Sequence, residues 1–290
     1  MKILLIDDEQ SLQEEIATYL KMEEHTVVSA ANGQAGWDLF VQSPDEFDVI
    51  ITDIRMPVLD GLALMKKLRK DHHEIPIIII TGHGDLDASI QALRLGAFDF
   101  LLKPFDPQAL DTALLKLKTL LSAKKPTTEI AACVEHIRLT IPSKTKLCVD
   151  VLDYLKNYYG PLCQKHDINV IRIGVCVMEA LTNAIQHGNL EVPSSLKQES
   201  WDKFFTLIQE RENDSQFTDR QVTIQYRVNK EQFEIEVEDE GKGFDQAILP
   251  ENYNEDTLLS SGRGILLIRS YMDDVKWDKQ GSKIIMTKKL

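Results

Sequence analysis

Five polar side chains in the first part of the chain are of types that together suit phosphoryl chemistry. Each stands at the end of a short apolar run; they are Asp7, Asp8, Asp53, Thr81 and Lys103. Three carboxylates brought to one point repel one another unless a hard cation lies among them, and oxygen ligands suit Mg²⁺. An ammonium and a hydroxyl at the same point would hold the oxygens of a phosphoryl group. Singly, each residue is a weak signal, since a lone Asp after a strand is typical of a turn or a helix cap. Together they predict a magnesium-dependent phosphoryl site.

A second polar set lies in the later part of the chain. Glu179, Asn183 and His187 are spaced i, i+4, i+8, so an α-helix would place them on one face, with apolar residues largely on the others. A polar stripe on an apolar helix indicates a lined cavity. An amide oxygen is a reasonable Mg²⁺ ligand, and a carboxylate one turn away is placed to deprotonate a substrate hydroxyl.

Two glycine-containing runs follow that helix. They are Asp239-Glu-Gly241-Lys-Gly243-Phe244 and Gly262-Arg-Gly264. Glycine lets the backbone approach a ligand closely, and the second run opens a predicted helix whose N-terminus favours phosphate. Alone, the first run would indicate a hairpin turn and the second the start of a helix. Their order and separation after the Glu/Asn helix favour a nucleotide phosphate pocket instead.

Alternating strands and helices must position the first set. The predicted strands are Lys2–Ile6, Thr26–Ala30, Asp48–Thr52, Pro76–Ile80 and Phe98–Leu102. Amphipathic segments such as Ser11–Lys21 lie between them. Five strand-then-helix units predict an α/β doubly wound, five-stranded parallel sheet with right-handed crossovers. In such sheets, chemistry gathers beyond the carboxyl ends of the strands.

The second set lies in a region with a different pattern, which predicts an α+β domain. The last helix of the first domain is predicted over Asp111–Leu121. The chain is predicted to consist of a domain over 1–122, a linker over 123–135 and a domain over 136–290. The predicted elements of the latter are strand His136–Ile141, helices Lys144–Tyr159 and Asn169–His187, a polar, partly helical stretch Glu191–Arg220, strands Gln221–Val228 and Gln232–Asp239, helix Gly264–Met272, and strands Asp274–Lys279 and Lys283–Lys288.

The first constellation, with Met56-Pro57 and Asp60-Gly61 after Asp53, strongly resembles the response-regulator receiver family over roughly the first 120 residues. The resemblance implies a flavodoxin-like fold and makes Asp53 the phosphoacceptor. Thr81 and Lys103 would contact the phosphoryl group, and Phe100 would be the switch aromatic. Lys103-Pro104 resembles the cis peptide of the family, an isomer almost confined to X–Pro bonds.

The receiver resemblance also implies a set of Mg²⁺ ligands. Asp8, Asp53 and the backbone carbonyl of Arg55 would bind the ion directly, and Asp7 through water. Arg55 stands where receivers tune the lifetime of the phosphoryl group.

The second constellation resembles the GHKL or Bergerat ATP-binding sandwich, the fold shared by gyrase, heat-shock chaperone, histidine kinase and mismatch-repair proteins. The runs EALTNAIQHGN, GFD and GRGILLIRSYMDDV are most similar to the anti-sigma-factor serine kinases. The resemblance implies that Asn183 holds Mg²⁺, that Asp239 accepts from the adenine amino group and that Glu179 is the general base. The remaining implied ATP-binding residues are His187, Gly241, Gly243, Gly262, Arg263 and Gly264. Arg263 either touches the γ-phosphate or faces solvent.

Together, the two resemblances imply a two-component response regulator. An upstream sensor histidine kinase would phosphorylate Asp53, and this would control an ATP- and Mg²⁺-dependent serine/threonine protein kinase. The implied partners are an anti-sigma factor antagonist of the STAS type, a sigma factor, or both, with a homodimer as the implied assembly. Two alternatives stay open: an ATP-dependent module that binds a partner without phosphoryl transfer, and an ATPase-type switch acting on something other than sigma.

Two further features have less specific interpretations. Glu135-His136-Ile-Arg138 superficially resembles the phosphoacceptor box of sensor histidine kinases, but that box lies in a two-helix hairpin and His136 here begins a strand pattern. The stretch Glu191–Arg220 replaces a short connection of the compact anti-sigma kinases. Its aromatic and aliphatic residues predict a helix with an apolar face, either packed on its own domain or offered to a partner.

Composition limits the class of protein. The chain has 290 residues, 43% hydrophobic and 27% charged, as in globular proteins. A net charge of −13 opposes binding to bare nucleic acid. The beginning of the chain is not typical of a signal peptide and no apolar run has the length of a membrane span, so a cytoplasmic location is expected. The cysteines, Cys133, Cys148, Cys163 and Cys176, are scattered and predicted to be reduced packing residues.

Overall fold

The computed structural model describes residues 1–82, 86–122, 134–244 and 263–290. The chain divides into two compact units, 1–117 and 118–290, and the division falls within one helix, Pro107–Ser122. None of the helices in the described ranges combines the length and apolar character needed to cross a membrane.

The first unit alternates strands with helices. Its elements are β1 (Lys2–Ile6), α1 (Gln10–Met22), β2 (Thr26–Ala30), α2 (Gly33–Gln42), a 3₁₀ turn (Pro44–Glu46), β3 (Val49–Asp53), α3 (Gly61–Lys70), β4 (Ile77–Thr81), α4 (Leu86–Arg94), β5 (Asp99–Leu102) and α5 (Pro107–Ser122). The strands form one parallel sheet in the order β2-β1-β3-β4-β5. Every residue of β3 and β4 is buried, as expected of parallel strands covered on both faces. The predicted doubly wound sheet is confirmed.

Helix α5 begins four residues before the predicted Asp111. Asp106 accounts for the earlier start, because its carboxylate accepts from Gln108 N at 2.9 Å and its carbonyl accepts from Ala109 N at 2.8 Å. Pro107 occupies the first helical position, where a missing N–H costs nothing.

The second unit places helices with an antiparallel sheet. Its elements are β6 (His136–Pro142), α6 (Leu147–Lys165), α7 (Val170–Thr182), a π-helical segment (Asn183–Asn189), α8 (Leu196–Glu199), α9 (Trp201–Arg211), α10 (Ser215–Thr218), β7 (Gln221–Val228), β8 (Gln232–Glu238), α11 (Arg263–Tyr271), β9 (Asp274–Trp277) and β10 (Lys283–Lys289). The sheet order is β6-β7-β8-β10-β9. The α+β prediction is confirmed.

The core of the second unit lies between the helices and one face of this sheet. The inward residues of β7 and β8 alternate with polar ones, and Phe233 of β8 is stacked with Tyr159 of α6 at 6.3 Å between ring centroids. Helices α6 and α11 both pack against α7. Helix α7 is therefore central to this unit, and nine of its residues are buried.

Two predicted helices of the second unit have other bounds in the structure. The helix predicted over Lys144–Tyr159 runs over Leu147–Lys165 and includes Pro161. Proline removes one helical hydrogen bond, but Cys163 beyond it is completely buried, and this packing keeps the chain helical. The α-helix predicted over Asn169–His187 ends at Thr182 and continues with π winding, in which Leu190 N donates to Ile185 O five residues earlier.

The stretch predicted as an insertion packs on its own unit. Phe204 and Ile208 of α9 are buried. Arg211 of the same helix donates to the carbonyl groups of Leu190 and Glu191, at 2.7 and 2.6 Å. These contacts favour a helix packed on its own domain over one offered to a partner, since its buried apolar residues are covered by the unit itself.

Candidate functional site

The first candidate site lies at the carboxyl ends of β1 and β3. Asp7 and Asp8 follow β1, and Asp53 is the last residue of β3. The sheet order places β1 between β2 and β3. The chain therefore leaves β1 toward β2 on one side of this point, and it leaves β3 toward β4 on the other side. Ligand sites of open α/β sheets form at such a switch point, and the sequence-predicted carboxylates lie there.

The three carboxylates approach one another closely. Ligand oxygens of Asp7, Asp8 and Asp53 all lie within 4.8 Å of one another. Asp7 and Asp53 are buried, whereas Asp8 is exposed. A set of three acidic oxygen donors, open to solvent on one side, fits a hard divalent cation such as Mg²⁺ that retains some of its water.

Lys103 completes this cluster from the end of β5. Its Nζ donates to Asp53 Oδ2 at 2.6 Å and to Asp7 Oδ2 at 2.9 Å. Burial lowers the pKa of Lys103, but the hydrogen bonds and charges of Asp53 and Asp7 outweigh this effect and raise the pKa above its ordinary value. The ammonium is therefore charged and held beside Asp53.

The other predicted residues of the first site lie on β4, on β5 and in the loop after β3. Thr81 ends β4, is fully buried, and its carbonyl accepts from Lys103 N at 2.7 Å. Phe100 is 1% exposed. The bond between Lys103 and Pro104 is cis, as expected. Arg55 N donates to Asp53 Oδ1 at 3.1 Å, which places the Arg55 backbone next to the carboxylates.

The second candidate site lies where α7 meets the start of α11. Glu179 of α7 is buried, and Asn183 opens the π-helical segment one turn later. Gly264 lies so close that a Cβ on it would overlap Glu179 Oε2 and lie 3.7 Å from Asn183 Nδ2. The structure thus brings together a carboxylate, an amide and a helix N-terminal glycine, a set that fits Mg²⁺ and nucleotide phosphate.

The turn after β8 forms the other part of this site. Asp239 Oδ1 accepts from Gly241 N at 2.9 Å, and Gly188 lies so close to Asp239 that a Cβ on it would overlap the carboxyl group. Burial raises the pKa of Asp239 to about 6, with Asp278 and Glu238 adding to the effect and the Gly241 N–H opposing it. At neutral pH this half-buried carboxylate is ionised and accepts hydrogen bonds.

His187 makes its contacts toward the insertion. Its Nδ1 lies 2.7 Å from the Val192 carbonyl, and its ring centroid lies 6.1 Å from that of Phe204 in α9. Burial and the charge of Lys197 lower the pKa of His187 to about 4, so the ring is neutral at physiological pH. Its predicted contact with ATP stays a prediction.

The remaining predicted ATP-binding residues are Gly243, Gly262 and Arg263. Gly262 lies outside the described residues. Arg263 is the first residue of α11 and is half-buried, so both of its proposed roles stay open. Gly243 has a φ of +68°, in the left-handed region that favours glycine.

Sequence reasoning missed the two residues that follow His187. Gly188 lies against Asp239, and Asn189 is completely buried with its Oδ1 accepting from Glu240 N at 2.7 Å. The sequence feature that could have indicated them is a glycine and an asparagine directly after the polar stripe of Glu179, Asn183 and His187.

Comparisons with known proteins match both units. The model of the response regulator receiver domain matches residues 3–115. The model of the histidine kinase-like ATPase domain matches residues 106–288, more than half of the chain.

Curated relatives match part of the chain. The regulatory protein AtoC of Escherichia coli is 30% identical over 155 residues, which are 51% of this chain and 33% of that protein. A probable transcriptional regulator ycf27 of Guillardia theta is 41% identical over 113 residues, 39% of this chain and 43% of that protein. The chain therefore spans less than half the length of these relatives.

A similar solved structure is that of a response regulator receiver domain protein from Clostridium thermocellum. It is 37% identical, with a TM-score of 0.40, and the match covers 41% of this chain and 98% of that one.

Proposed function

Since this chain belongs to the histidine kinase-like ATPase family and has a response regulator receiver domain before it, we propose that it is a receiver-controlled serine/threonine protein kinase. Phosphorylation of Asp53 by a sensor histidine kinase would control an ATP-dependent kinase of the anti-sigma type. The substrate would be a hydroxyl of an anti-sigma factor antagonist, so that the protein acts in partner switching with a sigma factor.

The observation that supports kinase chemistry is the position of Glu179. Its carboxylate is buried beside Asn183 and under Gly264, at the N-terminus of α11. A carboxylate there is well placed to accept the proton of a serine or threonine hydroxyl as that oxygen bonds to the γ-phosphorus of ATP. ADP leaves with the electron pair of the broken bond. Mg²⁺, held by Asn183, would neutralise charge on the phosphates.

The acceptor chemistry at the first site supports control by phosphorylation. Asp53 lies among Asp7, Asp8 and Lys103, an arrangement that suits Mg²⁺-assisted transfer of a phosphoryl group to its carboxylate. Thr81 at the end of β4 and Phe100 in β5, both buried, are the residues proposed to respond. The direction of control, activation or inhibition, is set by which conformation the phosphoryl group favours.

The test is phosphoryl transfer from radiolabelled Mg-ATP to STAS-domain proteins of the same genome. Wild-type protein is expected to label serine or threonine on one of them. Glu179→Gln is expected to lower the rate at least about a hundredfold, consistent with loss of a general base, while still binding ATP. Glu210→Gln, on the exposed side of α9, is the matched control.

Two results would decide against this proposal. Absence of labelling by the wild type with ATP-dependent capture of the STAS protein would favour a binding module. ATP turnover that is unchanged by any STAS protein and unaffected by Glu179→Gln would favour an ATPase switch of another kind. The same measurements after treatment with acetyl phosphate, compared with Asp53→Asn, test control by the receiver.

A further inference from the structure

The side chain of Asn189 makes three hydrogen bonds inside the second unit, two donated and one accepted. It is the last residue of the π-helical segment and is completely buried. Its Nδ2 donates to Ser143 Oγ at 2.8 Å and to the Gln221 carbonyl at 2.9 Å, and its Oδ1 accepts from Glu240 N at 2.7 Å. Two donors and one acceptor at the tip of one short side chain are what an asparagine amide provides.

The orientation of this amide follows from its partners. In the reversed orientation, Oδ1 would face the Gln221 carbonyl, which is also an acceptor. Nδ2 would face the Glu240 N–H, which is also a donor, so neither hydrogen bond could form. An aspartate would place a buried charge against the same carbonyl. The partners of Asn189 therefore fit an asparagine amide in one orientation.

The residue joins the two parts of the proposed nucleotide site. On one side, the π-helical segment continues α7 and begins with Asn183, one turn after Glu179. On the other, Glu240 lies in the turn directly after Asp239. Gly188 and Gly241 also meet here, since a Cβ on Gly241 would overlap the Gly188 carbonyl.

The main chain of Asn189 strengthens the same junction. Its carbonyl accepts from Arg220 at 2.7 Å, and Ser143 donates to the Arg220 carbonyl at 2.8 Å. Gln221 N in turn donates to the Glu240 carboxylate at 2.9 Å. The bond from Asn189 Oδ1 to Glu240 N links this junction to the backbone of the turn that contains Asp239.

We infer that Asn189 is a positioning residue that fixes the Asp239 turn relative to the helix of Glu179 and Asn183, and thereby sets the preference for adenine. This inference rests on the proposed function, in which Asp239 accepts from the adenine amino group. Inosine triphosphate is the probe, because it has a carbonyl oxygen where adenine has that amino group.

The experiment compares dissociation constants of Mg-ATP and Mg-ITP for the full chain. Wild type is expected to prefer ATP. Asn189→Ala should weaken ATP binding at least about fivefold, as expected when the partly buried Glu240 N–H loses its acceptor, and should bring the two constants closer together. Ser143→Ala is the matched control, because it removes one partner of Nδ2 and leaves the bond to Glu240. It should lower the melting temperature and keep the ATP preference.

The outcomes separate the two hypotheses. Wild type that binds neither nucleotide overturns the proposed function. Wild type that prefers ATP, with an Asn189→Ala protein of unchanged preference, overturns the role of Asn189 alone. Should that variant not fold, Asn189→Ser takes its place. Hydrogen exchange of the wild type then adds a measurement: a Glu240 amide that exchanges as fast as an exposed one contradicts the inference.

Discussion

The ammonium of Lys103 lies 2.6 Å from Oδ2 of Asp53, the carboxylate proposed to accept the phosphoryl group. The same ammonium holds Asp7 at 2.9 Å. It therefore partly neutralises the carboxylates that would also bind Mg²⁺, and it occupies the side of Asp53 from which a phosphoryl oxygen would be contacted.

Replacing Lys103 by glutamine should change metal binding and phosphorylation in opposite directions. Mg²⁺ affinity should rise about fivefold or more, because a competing positive charge is lost. Phosphorylation by acetyl phosphate should slow at least about tenfold, because the charge that stabilises the transferred group is also lost. Calorimetry and intact-protein mass spectrometry measure the two quantities. Lys66→Gln, an exposed position on α3, should change neither, and a parallel fall of both would contradict the assigned role.

Adding a methyl group at Gly264 should close the phosphate side of the second site. The Cβ of Gly264→Ala would overlap Glu179 Oε2 and lie 3.7 Å from Asn183 Nδ2, so the Glu179 carboxylate must turn away and the methyl group fills space beside both proposed ATP-site residues. ATP affinity should therefore fall about tenfold or more, the usual scale of overpacking. Gly82→Ala is the control, since a Cβ there meets no atom of the described residues within 4 Å. Equal ATP affinity of Gly264→Ala and wild type would contradict the proposed role of Gly264 in the phosphate pocket.

ATP binding should weaken as pH falls through about 6. The pKa of Asp239 is raised to about 6 by burial, and a protonated carboxyl no longer serves as the same acceptor for the adenine amino group. The affinity should fall up to about tenfold per pH unit below that value. The ATP affinity of Asp239→Asn, measured over the same pH range, corrects for protonation of the nucleotide. At neutral pH this variant should bind ATP more weakly than wild type. The proposed role of Asp239 is wrong if both proteins show one profile.

The same shift predicts that Asp239 lowers stability at neutral pH. A carboxyl group with a raised folded-state pKa binds more protons in the folded than in the unfolded state between about 4 and about 6. Folding is therefore relatively favoured at low pH and loses this contribution as pH rises. Asp239→Asn should raise the melting temperature at pH 7.5 and leave it nearly unchanged below about pH 4. A lower melting temperature at pH 7.5 would contradict this assignment.

Two neighbouring phenylalanines of α9 should differ sharply in their contribution to stability. Phe204 is 1% exposed and Phe205 is 41% exposed. Phe204→Ala should destabilise the second unit by about 3–5 kcal/mol, whereas Phe205→Ala should cost under about 1 kcal/mol. Urea unfolding followed by circular dichroism measures both. Equal, small effects would indicate that α9 is held only loosely, as a surface offered to a partner would be.

The sheets were largely predictable from sequence because their patterns are local. β1, β2 and β7 have the predicted bounds, and β3 and β4 differ from prediction by one residue at each end. The carboxylates of the first site were also found from position alone, since residues at the carboxyl ends of neighbouring parallel strands must meet.

The π-helical segment was not predictable in this way. Its last residue, Asn189, bonds to Ser143 and Gln221, which are 46 and 32 positions away in sequence. No local periodicity reports such contacts, and the i, i+4, i+8 spacing of the polar stripe is equally compatible with a regular helix. The extension of α6 through Pro161 has the same origin, because the burial of Cys163 is a property of the fold.

The buried thiols of the second unit give each half of the protein a separate chemical signature. Burial raises the pKa of Cys163 and of Cys176 to about 12, so the reactive thiolate is scarce at neutral pH. The first 117 residues contain no cysteine. Cys133 lies outside the described residues and can be replaced by serine. The rate of thiol alkylation then measures how often the ATP-binding half opens, with no contribution from the receiver.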